Sequence, residues 1–269
     1  MKTILVPTDQ SDLMPSAIAT AWLLAQRFGA TIEGVALRPA FAEVVAPDPI
    51  VAVTIPPADW DETQFMRRVR QTFDTFANAH QGGGVTMRWR GGAAIEDGSL
   101  GSLARLYDIS VLNRPGGKGS RMSAFEAALF DSGRPVLMAP PKPGATLGDA
   151  IMIHWNCSTE TARAIALGMP LLKKAKKVML LTVEGNTVAG PTAREALTHL
   201  AAHGITATDK TVAPAGRGPG QTILDEASAF GADLLLKGAY TQSRLRQMIF
   251  GGATNHVLAK AEIPVFFAH

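Results

Sequence analysis

The side chains able to do chemistry gather just after short apolar runs. In the second half His154, Asn156 and Ser158 follow Ile151-Met152-Ile153, and Lys237, Gly238, Ala239, Tyr240 and Thr241 follow Leu234-Leu235-Leu236. Beyond these lie Ser243-Arg244-Leu245-Arg246, then Gly251, Gly252, Ala253 and Thr254. A helix opening at Gly252 or Ala253 would present unpaired backbone N–H groups and the positive end of its dipole, which is an anion site. Arg244 and Arg246 could clamp phosphate oxygens, although exposed helix arginines need no ligand. In the first half Asp9 follows Ile4-Leu5-Val6, and Asn113-Arg114-Pro115-Gly116-Gly117-Lys118-Gly119-Ser120 takes the later place. That run is not a Walker loop, because the order glycine, four residues, glycine, lysine, serine or threonine is absent. Downstream of it Glu126 and Asp131 have the sign that repels phosphate.

Other chemistries find less support. His199 and His203 could share a helix face, but a zinc site needs further ligands and none is evident. The single cysteine, Cys157, excludes an internal disulfide and a multi-cysteine metal site. Its place near a helix start makes a lowered thiol pKa conceivable, against the simpler reading of a small residue in a turn. No nucleophile elbow is present. The net charge of +3 is small for 269 residues. The one dense basic run, Lys173-Lys174-Ala175-Lys176-Lys177, falls at a helix end where cations favour the dipole, so nucleic acid is not an expected partner. No apolar stretch is long enough to span a membrane, and the apolar run after Lys2 is too short for a signal core. A cytoplasmic protein is expected.

The elements that must position these residues come twice. Ile4-Leu5-Val6-Pro7-Thr8-Asp9-Gln10-Ser11 returns as Ile151-Met152-Ile153-His154-Trp155-Asn156-Cys157-Ser158, and Arg134-Pro135-Val136-Leu137-Met138-Ala139 returns as Ile263-Pro264-Val265-Phe266-Phe267-Ala268. Aligning Asp108 with Ala232 leaves the first copy 23 residues longer, and the surplus lies at about 39–62. That stretch holds five prolines among valines and isoleucines, shows no regular period, and reads as a lid, a dimer contact or decoration. Apolar runs alternate with helical patterns in each copy, the signature of a parallel sheet with crossover helices. Strands are predicted at Thr3 to Val6, Thr31 to Leu37, Val85 to Arg90, Ile109 to Asn113 and Pro135 to Ala139. The second set is Ala150 to Ile153, Val178 to Val183, Ile205 to Thr211, Leu234 to Lys237 and Val265 to Ala268. Ile18, Ala21, Trp22 and Ala25 form one helical stripe, with Ser11 or Asp12 as cap and Gly29 as stop. In the second copy helices are predicted around Thr159 to Leu172, Thr192 to His203, Gln221 to Phe230 and Ser243 to Lys260. Pro140-Pro141-Lys142-Pro143-Gly144-Ala145 reads as a short stiff linker between domains at 1–141 and 147–269.

With these residues in place, the chain resembles a tandem of two universal stress domains of the UspA type over nearly its whole length, the 39–62 insertion apart. Nucleotide-binding members of that family have, after the fourth strand, a glycine, two residues, a second glycine, nine residues, then glycine and serine or threonine. Gly238, Thr241, Gly251 and Gly252 take those places here. Thr241 adds a β-branched side chain where glycine's freedom is used, and Gly252 removes a hydroxyl for which Thr254 is the candidate substitute. The resemblance also implies an acidic nucleoside contact after the first strand, filled by Asp9 in one copy and Asn156 in the other, and an apolar residue under the base, Val183. Asn can still donate to and accept from an adenine or ribose.

The resemblance implies two doubly wound, parallel five-stranded sheets with helices on both faces, of the adenine nucleotide alpha hydrolase-like kind. It implies domains that pair through their last strands into an internal pseudo-dimer, with a further homodimer of chains. The expected ligand is an adenine nucleotide, ATP or else ADP or AMP, with or without Mg2+. It would sit in the second copy on backbone amides of Gly238, Gly251, Gly252 and Ala253, near Asn156, Val183, Lys237, Thr241 and Thr254, with His154, Arg244 and Asp9 as weaker candidates. The role implied is regulatory, in a stress response. No general base or firm metal ligand is visible, so catalysis beyond slow ATP hydrolysis is not expected. The rival reading is an interaction module that has lost the nucleotide.

Overall fold

The structure, a computed structural model, describes residues 1–47, 50–81, 84–116, 121–240 and 252–269. Its first half contains β1 (Thr3–Thr8), α1 (Met14–Phe28), β2 (Thr31–Ala36), β3 (Ala42–Pro47), β4 (Ile50–Ile55), α2 (Glu62–Ala79) and β5 (Thr86–Trp89). α3 (Asp97–Ala104), β6 (Ile109–Asn113), α4 (Met122–Asp131) and β7 (Val136–Ala139) complete it. The second half contains β8 (Ala150–His154), α5 (Thr159–Leu172), β9 (Lys177–Val183), α6 (Ala193–Ala202) and β10 (Ala207–Val212). α7 (Pro219–Phe230), β11 (Leu234–Gly238), α8 (Ala253–Lys260) and β12 (Val265–Ala268) follow.

The inner strands are apolar on both faces because helices cover both, whereas the edge strands β5 and β10 are largely exposed. Ile4 and Val6 of β1, Ile151 and Ile153 of β8, and Leu234 and Leu236 of β11 pack into the layer formed by α1, α2, α5 and α6. Their alternates Leu5, Met152 and Leu235 pack into the layer of α3, α4, α7 and α8. This two-sided burial is what a parallel sheet requires. The strand order is β10-β9-β8-β11-β12-β7-β6-β1-β2-β5. Within this ten-stranded sheet pairing is parallel in each half, and β12 and β7 alone join antiparallel. Each half is thus doubly wound, with its reversal of winding between β1 and β6 or between β8 and β11. The α/β class and the covered parallel sheet agree with the sequence reading. The difference is that the two five-stranded sets are one continuous ten-stranded sheet, because pairing the last strands satisfies two edges that would otherwise stay open.

Local signals explain the details. α1 ends at Gly29, left-handed at φ 56, a conformation open to glycine at no steric cost. Its cap position is Leu13 rather than Ser11 or Asp12; the Ser11 hydroxyl instead accepts from the Leu13 N–H. The 39–62 insertion holds a two-stranded antiparallel hairpin of β3 and β4, contrary to the expectation of a segment without period. Pro47 is the last residue of β3, and Pro39, Pro56 and Pro57 lie outside both strands, where proline is tolerated. Phe41 and Trp60, edge to face at 4.8 Å, hold its base, and Trp60 packs on Phe65 of α2.

A half-buried carboxylate starts each half's sheet. Asp108 accepts from the backbone N–H groups of Lys2 (2.5 Å) and Thr3 (3.0 Å). Asp233 accepts from those of Gly148 (3.0 Å), Asp149 (3.0 Å) and Ala150 (2.8 Å), and from the Thr146 hydroxyl. The two aspartates therefore correspond, one position away from the alignment of Asp108 with Ala232, and the first copy's surplus is one residue smaller than the sequence suggested. Replacing Asp233 strands three strand-start donors at once. Asp233→Ala is expected to lower the free energy of unfolding by about 2–4 kcal/mol in urea titration; a change below about 0.5 kcal/mol would show that the carboxylate is not what fixes this strand start.

Candidate functional site

The reversal of winding in the second half brings together the carboxyl ends of β8 and β11 and the start of α8. His154 and Lys237 are register partners across the β8–β11 pair, and strand alternation turns both toward α7 and α8. Both are buried, at 1% and 3% exposure. The Lys237 ammonium donates to the Gly238 carbonyl (2.9 Å) and to Thr254 Oγ1 (2.9 Å). Neither ring nitrogen of His154 has a hydrogen-bond partner. Burial draws the Lys237 pKa down to about 8. Burial first, and the neighbouring lysine charge second, hold His154 well below the ordinary imidazole value, so the ring is neutral at neutral pH.

The other predicted residues have mixed placements. α8 opens at Ala253 with Gly252 as its cap and no side-chain cap hydrogen bond, which leaves the first-turn amides to a ligand or solvent. Thr254 is buried, and its hydroxyl receives Lys237 rather than pointing outward. Gly238 lies against the first turn of α5: a Cβ there would stand 2.5 Å from the Thr161 nitrogen. A packing reason for that glycine thus exists beside the ligand one. Val183 ends β9, fully buried in the layer of α7 and α8. The Asn156 carbonyl oxygen accepts from Thr161 Oγ1 (2.6 Å) and the Ser158 N–H (3.3 Å), tying it to the start of α5. Thr241, Arg244 and Gly251 lie outside the described residues.

Around these residues, Val188 N–H donates to the Asn156 backbone carbonyl, Trp155 Nε1 donates to that of Pro191, and Gly190 lies against Cys157. The connection after β9 therefore crosses over the end of β8. Cys157 is left-handed at φ 66, and burial pushes its thiol up, the opposite of an activated cysteine. His199 and His203 are ring neighbours at 4.8 Å, and among the described residues no group of three or more potential metal ligands exists.

The first half differs at the matching places. Asp9 accepts from the Ser11 N–H (2.8 Å) as Asn156 does from Ser158, and the Asn113 amide from the end of β6 stands 3.4 Å from it. Burial pushes the Asp9 carboxyl up to about 6. Arg121 caps α4 where Gly252 caps α8, and pairs with Asp97 at 2.8 Å, while Arg38 pairs with Glu96. With Phe41 these groups line a cavity of about 120 Å³. The sequence reading placed Glu126 and Asp131 near this anion position; it overlooked Arg121 and Asp97, which are 24 positions apart and meet only through the fold.

The two halves wall each other's sites. Phe130 of α4 packs on Tyr240 (5.2 Å) and His269 (4.6 Å), beside the end of β11. Arg114, beside the end of β6, reaches the Ala261 carbonyl and Glu262 after α8.

This architecture is matched among known proteins. Residues 169–269 match the Universal stress protein family. A universal stress protein from Archaeoglobus fulgidus superposes with a TM-score of 0.73 over 99% of this chain and 95% of that one, at 15% identity. A candidate universal stress protein from Pseudomonas aeruginosa gives 0.51 over 100% and 93%, at 13% identity. At such identities the likeness establishes the fold. In sequence, the stress response protein NhaX of Bacillus subtilis is 36% identical over 47 residues, which is 18% of this chain and 28% of that protein. The match thus spans less than a third of the length of that relative. Among the described residues no helix is long and apolar enough to cross a membrane.

Two charge effects are measurable. Lys237 loses its proton at a lower pH folded than unfolded, so the unfolded chain binds more protons between about 8 and the ordinary lysine value, and stability rises with pH there. Lys237→Met, which removes the buried charge but leaves two acceptors unfilled, is expected to raise stability at pH 7 by about 1–2 kcal/mol and to abolish that rise. Asp9 runs the other way: the folded chain binds the extra proton between the ordinary aspartate value and about 6, so stability falls as pH rises through that window. Asp9→Asn is expected to add about 1–3 kcal/mol at pH 7 and nothing below pH ~3.5. Thermal melts across pH decide both, and a variant whose difference from wild type does not change with pH would refute the assignment.

Proposed function

We infer that the chain is a tandem universal stress protein, with domains at 1–141 and 147–269, that binds an adenine nucleotide in the second domain as a regulatory step in a stress response. ATP is the preferred ligand, with ADP or AMP as alternatives and Mg2+ as companion ion. Amides of Gly238, Gly251, Gly252 and Ala253 would hold the phosphates. The observation that carries this reading is the asymmetry of two equivalent helix starts: α8 opens on Gly252 with a buried lysine beneath it, whereas α4 opens on Arg121 already paired with Asp97. A paired arginine and carboxylate occupy the first-domain position where an anion would go. One site per chain follows. The proposed role is binding, with at most slow hydrolysis; among the described residues no group of three or more potential metal ligands exists. The molecule works in the cytoplasm, as an intramolecular pseudo-dimer through β7 and β12 that can pair again with a second chain.

A second reading, a nucleotide-free interaction module, is favoured by one specific feature: the Asn156 carbonyl oxygen and the Thr254 hydroxyl are both engaged inside the protein. One experiment separates the two. The purified chain is denatured, the supernatant is examined for nucleotide by absorbance and mass spectrometry, and the emptied, refolded protein is titrated with ATP and Mg2+. Near-stoichiometric adenine nucleotide, or rebinding at micromolar ATP, is the expected outcome. Absence of binding at millimolar ATP would leave the interaction module as the function.

A further inference from the structure

We propose that Lys237 and His154 form a proton-coupled phosphate site beneath the first turn of α8, which makes the second half select ligands bearing phosphate. The proposal rests on the nucleotide reading only for the source of the phosphate.

Lys237 is placed at a cost that no opposing charge among the described residues offsets. Its ammonium is buried, and its two acceptors are a carbonyl and a hydroxyl; among the described residues no carboxylate pairs with it. Thr254, which holds one of its protons, is the second residue of α8. The positive charge therefore sits at the positive end of a helix dipole, where a cation is disfavoured. An ammonium has three protons to donate, and two acceptors account for two of them. An anion at the start of α8 would offset all of these terms together, through charge, the remaining proton and the first-turn amides.

His154 is the independent observation. It is 1% exposed, lies beside Lys237 across the β8–β11 pair, and has both ring nitrogens without a partner. A buried water could satisfy the ring and accept the third ammonium proton, but it would bring no opposing charge. A phosphate oxygen accepts from both groups. Other elements packed here supply no competing counter-charge in the described residues: β12 places Phe267 beside Lys237, and His256 of α8 is turned to Gln221 of α7. The Glu160 carboxylate of α5 lies against Gly238, whose place in the strand alternation faces away from Lys237, and accepts from the Thr159 hydroxyl. Asp225 of α7 is taken by Arg217 and Gln221, and Glu226 by Lys210.

The proton balance follows. Burial leaves Lys237 with a pKa of about 8, so near that pH the empty site is partly deprotonated. A phosphate anion beside it favours the ammonium, and a proton taken from the buffer onto Nζ accompanies the anion.

The test is calorimetry on the full chain with ATP, pyrophosphate and adenosine, at pH 7 and 9, and at pH 8.5 in two buffers of different ionisation enthalpy. ATP and pyrophosphate are expected to bind at least tenfold more tightly than adenosine, more weakly at pH 9 than at pH 7, and with proton uptake at pH 8.5. Lys237→Met, checked for a cooperative melt, should lose the uptake and weaken ATP at least tenfold; His154→Leu, which keeps the ammonium, should weaken it less. ATP binding without proton uptake, unchanged by Lys237→Met, would overturn the site while leaving the nucleotide reading intact. Pyrophosphate binding with uptake in a chain that ignores ATP would support the site and refute the nucleotide reading. If none of the three ligands binds, both are refuted.

Discussion

The antiparallel pairing of β7 with β12 is the constraint from which the rest of the molecule follows. Each half is a parallel sheet with helices on both faces, and each would end in an open row of N–H and C=O groups at its last strand. Joining those strands, with Phe266 opposite Leu137, removes both edges and buries Phe125 against Phe267 across the seam. Because the pairing is antiparallel, the strands of the two halves run in opposite directions. Their carboxyl ends, and with them any sites at the reversals of winding, face opposite ends of the sheet.

That geometry makes each half part of the other's site. The residue that begins β7 lies near the residue that ends β12, so the end of α4 arrives beside the end of β11. Phe130 thereby reaches Tyr240 and His269, and by the same symmetry Arg114 reaches the residues following α8. Tyr240 is held at φ 59, a backbone conformation costly for a residue with a side chain, and Phe130 packs against it. Arg27 of α1 adds a second tie, donating to Asp149, Gly148 and Lys174 of the second half. The chain therefore behaves as one body with two unequal ends. At one end carboxylates and arginines neutralise each other around Asp9 and Asn113. At the other a lysine and a histidine are buried with no opposing charge among the described residues. Electrostatics, more than shape, separates the two copies.

Much of this was legible in the sequence because it depends on local pattern. The repeated apolar runs fixed the strands, Gly29 stopped α1, the proline-rich linker marked the join, and the glycines around α8 pointed to its start. The hairpin in the insertion was missed because Pro47 and Pro49 disguised two paired runs, and the one-residue shift of Asp108 against Ala232 showed only when both aspartates proved to hold strand starts. Lys237 and His154 were named as site residues, but their isolation was invisible. A sequence lists charges without saying which of them meet. Residue types and periodicity determined the class of fold and which residues stand at the carboxyl ends of its strands, since backbone hydrogen bonding and burial act over a few residues. The tertiary structure alone decided that Arg121 finds Asp97, that Asn156 turns back to α5, and that Lys237 has no carboxylate partner. Pairing and desolvation depend on which distant segments are packed together, and no stretch of chain contains that information by itself.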